Sequence, residues 1–249
     1  MPLSVYIAGI TAALLVGLSK AGLPGVGLPG VLLIIVVFPN EQAALAVGAV
    51  LPVLIVGDVF AVLWFRHHAR WNRLFWLFPF VVVGMAPGWL VLRYVPDEIL
   101  RVLIGVVVLL LIGGEYVRRR YSSSHIRHTW GLTATTGAVA GFCTMVAHAA
   151  GPVMAVYLVS QGFDKRQFIG TAAWFFFILN LTKVPMYVTA GNITAATLQY
   201  DLIVAPFAIV GGLLGVVILN RISQWLFDAL ALSLAAVAAV WLIVDSMLV

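Results

Sequence analysis

Charged residues are scarce in this chain of 249 residues. They make up 9% of it, whereas hydrophobic residues make up 63%. Because a soluble globular domain carries about a quarter charged residues, this composition excludes a soluble enzyme, a disordered chain and a nucleic-acid-binding protein. The formal net charge of +5 comes from Arg residues in short loops and indicates no nucleic-acid partner. The composition leaves a protein whose main solvent is lipid.

Cysteine is almost absent. The single Cys143 excludes a disulfide within the chain and a metal site built from several thiolates. The sequence also lacks a phosphate-binding loop, a Ser–His–Asp spacing and a cluster of metal ligands, so we expect no cofactor and no direct use of ATP. Residues 1–5 contain no basic residue, and no cleavage site follows them. We therefore interpret the first apolar stretch as a retained membrane segment.

Long apolar runs dominate the chain instead. Six of them have the roughly 20 residues that a membrane-spanning helix needs; they are 41–65, 74–92, 97–117, 167–190, 197–219 and 224–246. Two more, 3–38 and 129–163, are too long for one span and short for two, and each has a Gly/Pro cluster in its middle. Pro removes a backbone donor and Gly weakens a helix. We predict that both are broken helices or re-entrant hairpins that point into the bundle.

The two broken segments begin two similar halves, each followed by three plain spans. Residues at matching places recur at fixed offsets: Gly48-Ala49 with Gly170-Thr171, Asp58 with Asn180, and Pro79, Gly84 and Gly88 with Pro206, Gly211 and Gly215. This pattern predicts an all-α polytopic membrane helix bundle of two repeats. The repeats are 1–120 and 129–249, joined by a cytoplasmic Arg-rich linker at 121–128. Coincidental Gly/Pro spacing is the alternative.

The loop charges favour inverted repeats. If each broken segment crosses the membrane once, seven basic residues lie on the inner side of the membrane and five on the outer side. If each segment enters and returns on the same side, Lys165, Arg166 and Arg221 also lie on the inner side. The inner side then has ten basic residues and the outer side has two. The second arrangement fits the positive-inside rule better, and it places both termini on the non-cytoplasmic side.

The glycine-rich segment 17–30, GLSKAGLPGVGLPG, resembles the first segment of the TauE/SafE sulfite exporter family. The step 46–49 is similar to that family too, as is the second-half copy formed by 141–152, Gly170-Thr171 and Asn180. The resemblance covers nearly the whole chain. It implies a multi-pass transporter of the bacterial inner membrane for sulfite, sulfonates or related small sulfur-containing or carboxylate anions. It also implies export in many members and coupling to the proton-motive force.

The two breaks are the first candidate site for such an anion. A helix that restarts after a break presents free N–H groups and the positive end of its dipole, which bind oxyanions. We expect restarts at Val31 and Val153, and a site between them. Its backbone would come from Gly25, Gly27, Pro29, Gly30, Gly151 and Pro152. The alternative is a pair of kinks that improve helix packing.

Charged residues inside apolar runs are the second candidate. A Lys at a helix centre costs about 2.5–3.5 kcal/mol on insertion scales, so Lys20 and Lys183 are candidate anion ligands, unless they snorkel to an interface. Asp58 is the candidate proton carrier, with Asn180 as its neutral repeat mate. His148 could carry a proton or donate to the substrate. For both titratable groups the alternative is a structural hydrogen bond between helices.

Five smaller contributors complete the candidate site: the hydroxyls of Ser19, Thr144, Thr171 and Thr182, and Trp174 inside its span. Hydroxyls in membrane helices more often bond their own backbone. The sequence thus predicts a secondary transporter for a small anion that works by alternating access, with the anion, protons and lipid as partners; a homodimer is compatible with it. The alternatives are an anion channel, an importer of a small carboxylate, and an intramembrane enzyme or assembly subunit.

Overall fold

The computed structural model describes residues 3–27, 29–30, 33, 43–91, 99, 102, 105–106, 108–110, 112–113, 116, 130–147, 150–189 and 191–248. These residues form helices and turns, with no strand among them. The helices are α1 Leu3–Ala21, α2 Ala43–Phe65, α3 Trp71–Val91, α4 Trp130–Ala147, α5 Ala150–Ser160, α6 Lys165–Thr189, α7 Ala195–Val204, α8 Pro206–Arg221 and α9 Gln224–Leu248. A 3-10 turn, Arg66–His68, follows α2. An all-helical chain is expected in lipid, because a helix satisfies its backbone hydrogen bonds internally.

Within the described residues, five helical stretches are long and apolar enough to cross a membrane: Leu3–Ala21, Ala49–His68, Lys165–Thr189, Ala195–Arg221 and Gln224–Trp241. The prediction of an all-α, multi-pass membrane protein is therefore confirmed, whereas the two-repeat arrangement stays a prediction. Most of the predicted span 97–117 and all of the linker 121–128 lie outside the described residues. The positions described between 99 and 116 are helical.

The predicted span 197–219 is divided in two. Its first part, α7, begins at a capping box in which Thr194 and Thr197 exchange backbone-to-side-chain hydrogen bonds. It ends at Val204, with Ala205 as its C-cap, because Pro206 has no backbone N–H to continue the hydrogen-bond ladder. Pro206 instead occupies the first turn of α8, where a missing donor is tolerated.

The first Gly/Pro cluster interrupts the helix. Helix α1 ends at Ala21, and the Leu23 amide donates to the Leu18 carbonyl at 3.0 Å. Gly25 has a φ of +100°, a conformation that L side chains rarely adopt. Helical geometry resumes by Gly27, earlier than the predicted restart at Val31.

The chain then turns back along α1. A Cβ on Gly27 would lie 3.0 Å from the Cβ of Ser19, and a Cβ on Gly30 would lie 2.8 Å from the carbonyl oxygen of Ala12. Successive residues after the break thus contact successively earlier residues of α1. The segment reverses its direction, and glycine allows this close contact between the two arms.

Helices α4 and α5 lie on either side of the second cluster. Helix α4 ends at Ala147 and α5 begins at Ala150, while His148 and Ala149 lie outside the described residues. Gly151 and Pro152 fall in the first turn of α5, so the restart precedes the predicted Val153. Apart from Gly151, every residue of α5 is buried, as expected for a helix that is apolar on all sides.

The helices form two compact units, one of Met1–Ala69 and Lys165–Ser223 and the other of Arg70–Asp164 and Gln224–Val249. The core of the first unit joins α1, α2, α7 and the start of α8. It includes Val16, Val53, Tyr200 and Ala208. In the second unit α3 packs on α4, and α5 packs on α9.

In each unit, the two helices of the main pair cross at glycine residues, and we call these contacts the glycine crossings. In the first unit, a Cβ on Gly17 would overlap the carbonyl oxygen of Ala208, and one on Gly211 would overlap that of Leu14. In the second unit, a Cβ on Gly141 would overlap the carbonyl oxygen of Val81, and one on Gly84 would overlap that of Ala138. Both crossings therefore bring two backbones into direct contact, which small residues permit.

Candidate anion and proton site

A buried ion pair lies beside the first break. The Nζ atom of Lys20, in the last turn of α1, is 2.6 Å from Oδ1 of Asp58 in α2. The Lys20 side chain is 13% exposed and that of Asp58 is 0% exposed. A carboxylate with no contact to solvent needs a partner charge and hydrogen bonds, and Lys20 supplies the charge.

Asn180 of α6 supplies a hydrogen bond to the same carboxylate. Its Nδ2 donates to Oδ2 of Asp58 at 2.7 Å. Asn180 is itself buried. Both oxygens of Asp58 are therefore engaged by residues from two other helices, and α1, α2 and α6 meet at this one side chain.

Two further residues of α6 complete the site. The ring centroid of Phe176 is 4.6 Å from Nζ of Lys20, within cation–π range. Lys183 attracts Asp58 and repels Lys20 electrostatically. Phe176, Asn180 and Lys183 are spaced by four and three residues, so the helical repeat places them on one face of α6.

The residue before Asp58 is a buried glycine that makes room for Lys20. A Cβ on Gly57 would lie 3.2 Å from Cγ of Lys20 and 3.6 Å from Cγ1 of Val16. The aliphatic part of Lys20 thus packs directly on the α2 backbone, and the ammonium reaches the next residue along α2.

We expect Gly57→Val to push Lys20 away from Asp58 and therefore to lower transport at least tenfold. The protein should still fold, because overpacking of this kind costs only about 1–3 kcal/mol of stability. Anion flux into liposomes and the elution profile of the purified protein measure the two effects. Gly131→Val is the matched control, since a Cβ at Gly131 meets nothing within 4 Å. Equal transport by both variants would contradict the placement of Lys20.

The structure brings together four of the residues predicted from the sequence: Lys20, Asp58, Asn180 and Lys183. Other predicted residues of the first unit lie around the break, where Gly25 and Pro29 are exposed, Gly30 is buried and Ser19 contacts Gly27. The remaining two lie on α6. Thr171 is buried there, and the ring of Trp174 lies 6.0 Å from that of Phe177. Thr144, Gly151 and Pro152 belong to the second unit. His148 lies outside the described residues.

Two residues of interest were not predicted from the sequence. Phe176 contacts Lys20, and its spacing from Asn180 was the available signal. Asp201 lies in α7 with only 4% of its surface exposed. In the part of the chain that the structure describes, neither oxygen of its carboxyl group has a hydrogen-bond partner. An acidic residue inside the predicted span 197–219 was the signal for it.

Comparison with protein families identifies the family of this chain. The family model of the sulfite exporter TauE/SafE matches residues 5–242. The chain belongs to the sulfite exporter TauE/SafE family. The resemblance inferred from the glycine-rich segment is thereby confirmed, and membership of a transporter family gives the TauE/SafE chain the general role of a membrane transporter. Comparison with curated proteins and with solved structures finds no match.

Proposed function

We propose that the protein is a secondary transporter of the bacterial inner membrane that exports a small sulfur-containing anion, sulfite or an organosulfonate, in a manner linked to the proton-motive force. The cluster of Lys20, Asp58 and Asn180 carries this proposal. A buried ion pair contributes little net stability compared with apolar packing. Ionisable groups inside a membrane protein instead mark substrate and proton pathways.

Lys20 is the proposed anion ligand. Its ammonium lies at the helix break, and its side chain retains 13% exposure although it is paired with a fully buried carboxylate. The break lies next to it in the sequence, and the resumed helix contacts Ser19 through Gly27. Lys20 and free backbone amides together would hold an oxyanion. Asp58 is the proposed proton carrier.

The proposed mechanism is alternating access between two inverted repeats. Asp58 and Asn180 are 122 residues apart, a repeat offset, and they bond to each other. The glycine crossings also correspond: Gly17 and Gly141 differ by 124 positions, and their contacts Val81 and Ala208 differ by 127. Two-fold related halves that meet at Asp58 would account for all of these pairs, and such repeats are the usual basis of alternating access.

The membrane potential would supply the driving force for export. Moving one elementary charge across 100 mV is worth about 2.3 kcal/mol. A negative interior therefore favours the outward movement of a singly charged anion. At equilibrium the anion would be some tens of times more concentrated outside than inside.

Uptake of a small carboxylate is the second candidate. The group that Lys20 binds in this structure is itself a carboxylate, that of Asp58. A site that accepts this oxygen geometry would also accept a small carboxylate from solution.

The test is flux in proteoliposomes that contain the purified protein, with sulfite, sulfoacetate and acetate as probes. We expect saturable flux of at least one sulfur-containing anion, and the charge reversal Lys20→Glu should abolish it because the ligand becomes a repelling charge. Arg221→Glu, on the exposed end of α8, is the matched control and should transport normally. Unchanged affinity in Lys20→Glu would remove Lys20 from the site. Flux that does not saturate would indicate a channel, and flux of acetate alone would favour the second candidate.

A further inference from the structure

We propose that the carboxylate of Asp58 and the transported anion compete for the ammonium of Lys20, so that a proton on Asp58 and an anion on Lys20 bind together and cross in the same direction. This inference rests on the proposed function and adds the sign of the coupling.

Asp58 and Phe176 already surround the ammonium. Oδ1 of Asp58 is 2.6 Å from Nζ, and the ring of Phe176 covers it at 4.6 Å. An anion bound to the same ammonium would lie within a few ångströms of the Asp58 carboxylate. Two negative groups at that distance, away from water, repel each other strongly. A transported anion and ionised Asp58 therefore exclude each other at Lys20.

Protonation of Asp58 removes this conflict. A neutral carboxyl group no longer holds the ammonium by charge, which leaves Lys20 available to the anion. Asn180 can stay bonded to Asp58 in both states, because its amide has donors as well as an acceptor. In the ionised state its Nδ2 donates to Oδ2 at 2.7 Å, and in the protonated state its carbonyl oxygen can accept from the new O–H group. Asn180 thus stabilises either form without adding a charge.

The other charged groups around Asp58 reinforce this arrangement. Lys20 on α1 and Lys183 on α6 are the charged groups that act on Asp58 within the described residues. Tyr200 and Asp201 lie on α7 and Arg221 lies on α8, the other two described helices that pack against α2. With Asp58 neutral, the groups that act on the site within the described residues are the two lysines, so an anion at Lys20 meets no negative side chain among them.

The direction of coupling follows from this competition. A carrier that binds one proton with one doubly charged anion moves one net negative charge, so a negative interior still drives export. An alkaline interior opposes export, because the proton must leave with the anion. A proton antiporter would need protonation to weaken anion binding, which is the reverse of what the competition for Lys20 gives.

Titration of the purified wild-type protein with sulfoacetate tests the proposal, since its sulfonate stays charged at all working pH values. Above the titration range of Asp58, we expect the Kd to rise about tenfold per pH unit, as linkage to one proton requires. In buffers of different ionisation enthalpy, calorimetry should detect the uptake of about one proton per anion bound. Neither measurement needs a variant.

Asp58→Asn should bind sulfoacetate with an affinity that does not change with pH and that equals the wild-type affinity at low pH. Asp201→Asn is the matched control and should keep the wild-type pH dependence. Three results would each overturn the proposed competition and leave the proposed function intact. They are a wild-type affinity that is independent of pH, a release of protons on binding, and an unchanged pH dependence in Asp58→Asn. If the wild-type protein neither binds nor transports sulfite or sulfoacetate at any pH, the proposed function fails and the inference with it.

Discussion

Lys20→Met should abolish anion transport and also destabilise the folded protein. The variant leaves Asp58, which has no exposed surface, as an uncompensated charge inside the bundle. Removing one partner of a buried ion pair costs about 3–5 kcal/mol. Loss of the anion ligand should lower flux at least a hundredfold, because about 2.8 kcal/mol of lost binding already gives that factor. Flux in proteoliposomes and thermal unfolding in detergent measure the two losses separately.

The double variant Lys20→Met/Asp58→Asn separates folding from function. Neither charge is then present, and the amide introduced at position 58 can bond to Asn180. We therefore expect the unfolding temperature to return most of the way from that of Lys20→Met to that of the wild type. Transport should stay at background, since no cation is left to bind the anion. If Lys20→Met transports at the wild-type rate, the ion pair has only a structural role.

Gly17→Ala should disrupt the contact between α1 and α8. The added methyl would overlap the backbone carbonyl of Ala208, and a backbone atom cannot move aside as the end of a side chain can. The two helices would have to separate, and we expect a loss of stability of about 1–3 kcal/mol or more. Fluorescence-detected gel filtration after heating measures the fraction of protein that stays folded.

Gly141→Ala tests the same contact in the second unit, where the methyl would overlap the carbonyl of Val81; it should destabilise to a similar degree. Gly131→Ala is the control. Its methyl meets nothing within 4 Å, and Ala has a higher helix propensity than Gly by about 1 kcal/mol. Equal stability of Gly17→Ala and Gly131→Ala would show that the crossing is looser than described.

The features that follow from composition and spacing could be predicted from the sequence. Apolar run length indicates helices in lipid, and the family match confirms the resemblance that the glycine-rich segment suggested. The offset of 122 residues drew attention to Asp58 and Asn180, which prove to be hydrogen-bonded. Lys20 and Lys183 stood out because charges are rare in such runs.

The remaining features depend on how helices face one another. Periodicity is uninformative in helices that are apolar on nearly all sides. The spacing of four residues places Phe176 on the same helix face as Asn180, but it does not show that this face meets Lys20. The restarts at Gly27 and Ala150 come earlier than Val31 and Val153. Pro is tolerated in a first helical turn, so a Gly/Pro cluster does not fix which residue begins the new helix. The division at Ala205 shows the reverse case, where a Pro inside an apolar run ends one helix and begins another.

The position of a bound anion tests the central claim most directly, namely that Lys20 holds the substrate in competition with Asp58. Selenite has the shape and charge of sulfite, and its selenium scatters anomalously, so soaked crystals of the protein would locate it without ambiguity. We expect an anomalous peak within hydrogen-bonding distance of Nζ of Lys20, with Asp58 moved away from the ammonium and still bonded to Asn180. A peak elsewhere in the bundle, with the contact between Lys20 and Asp58 unchanged, would contradict the claim.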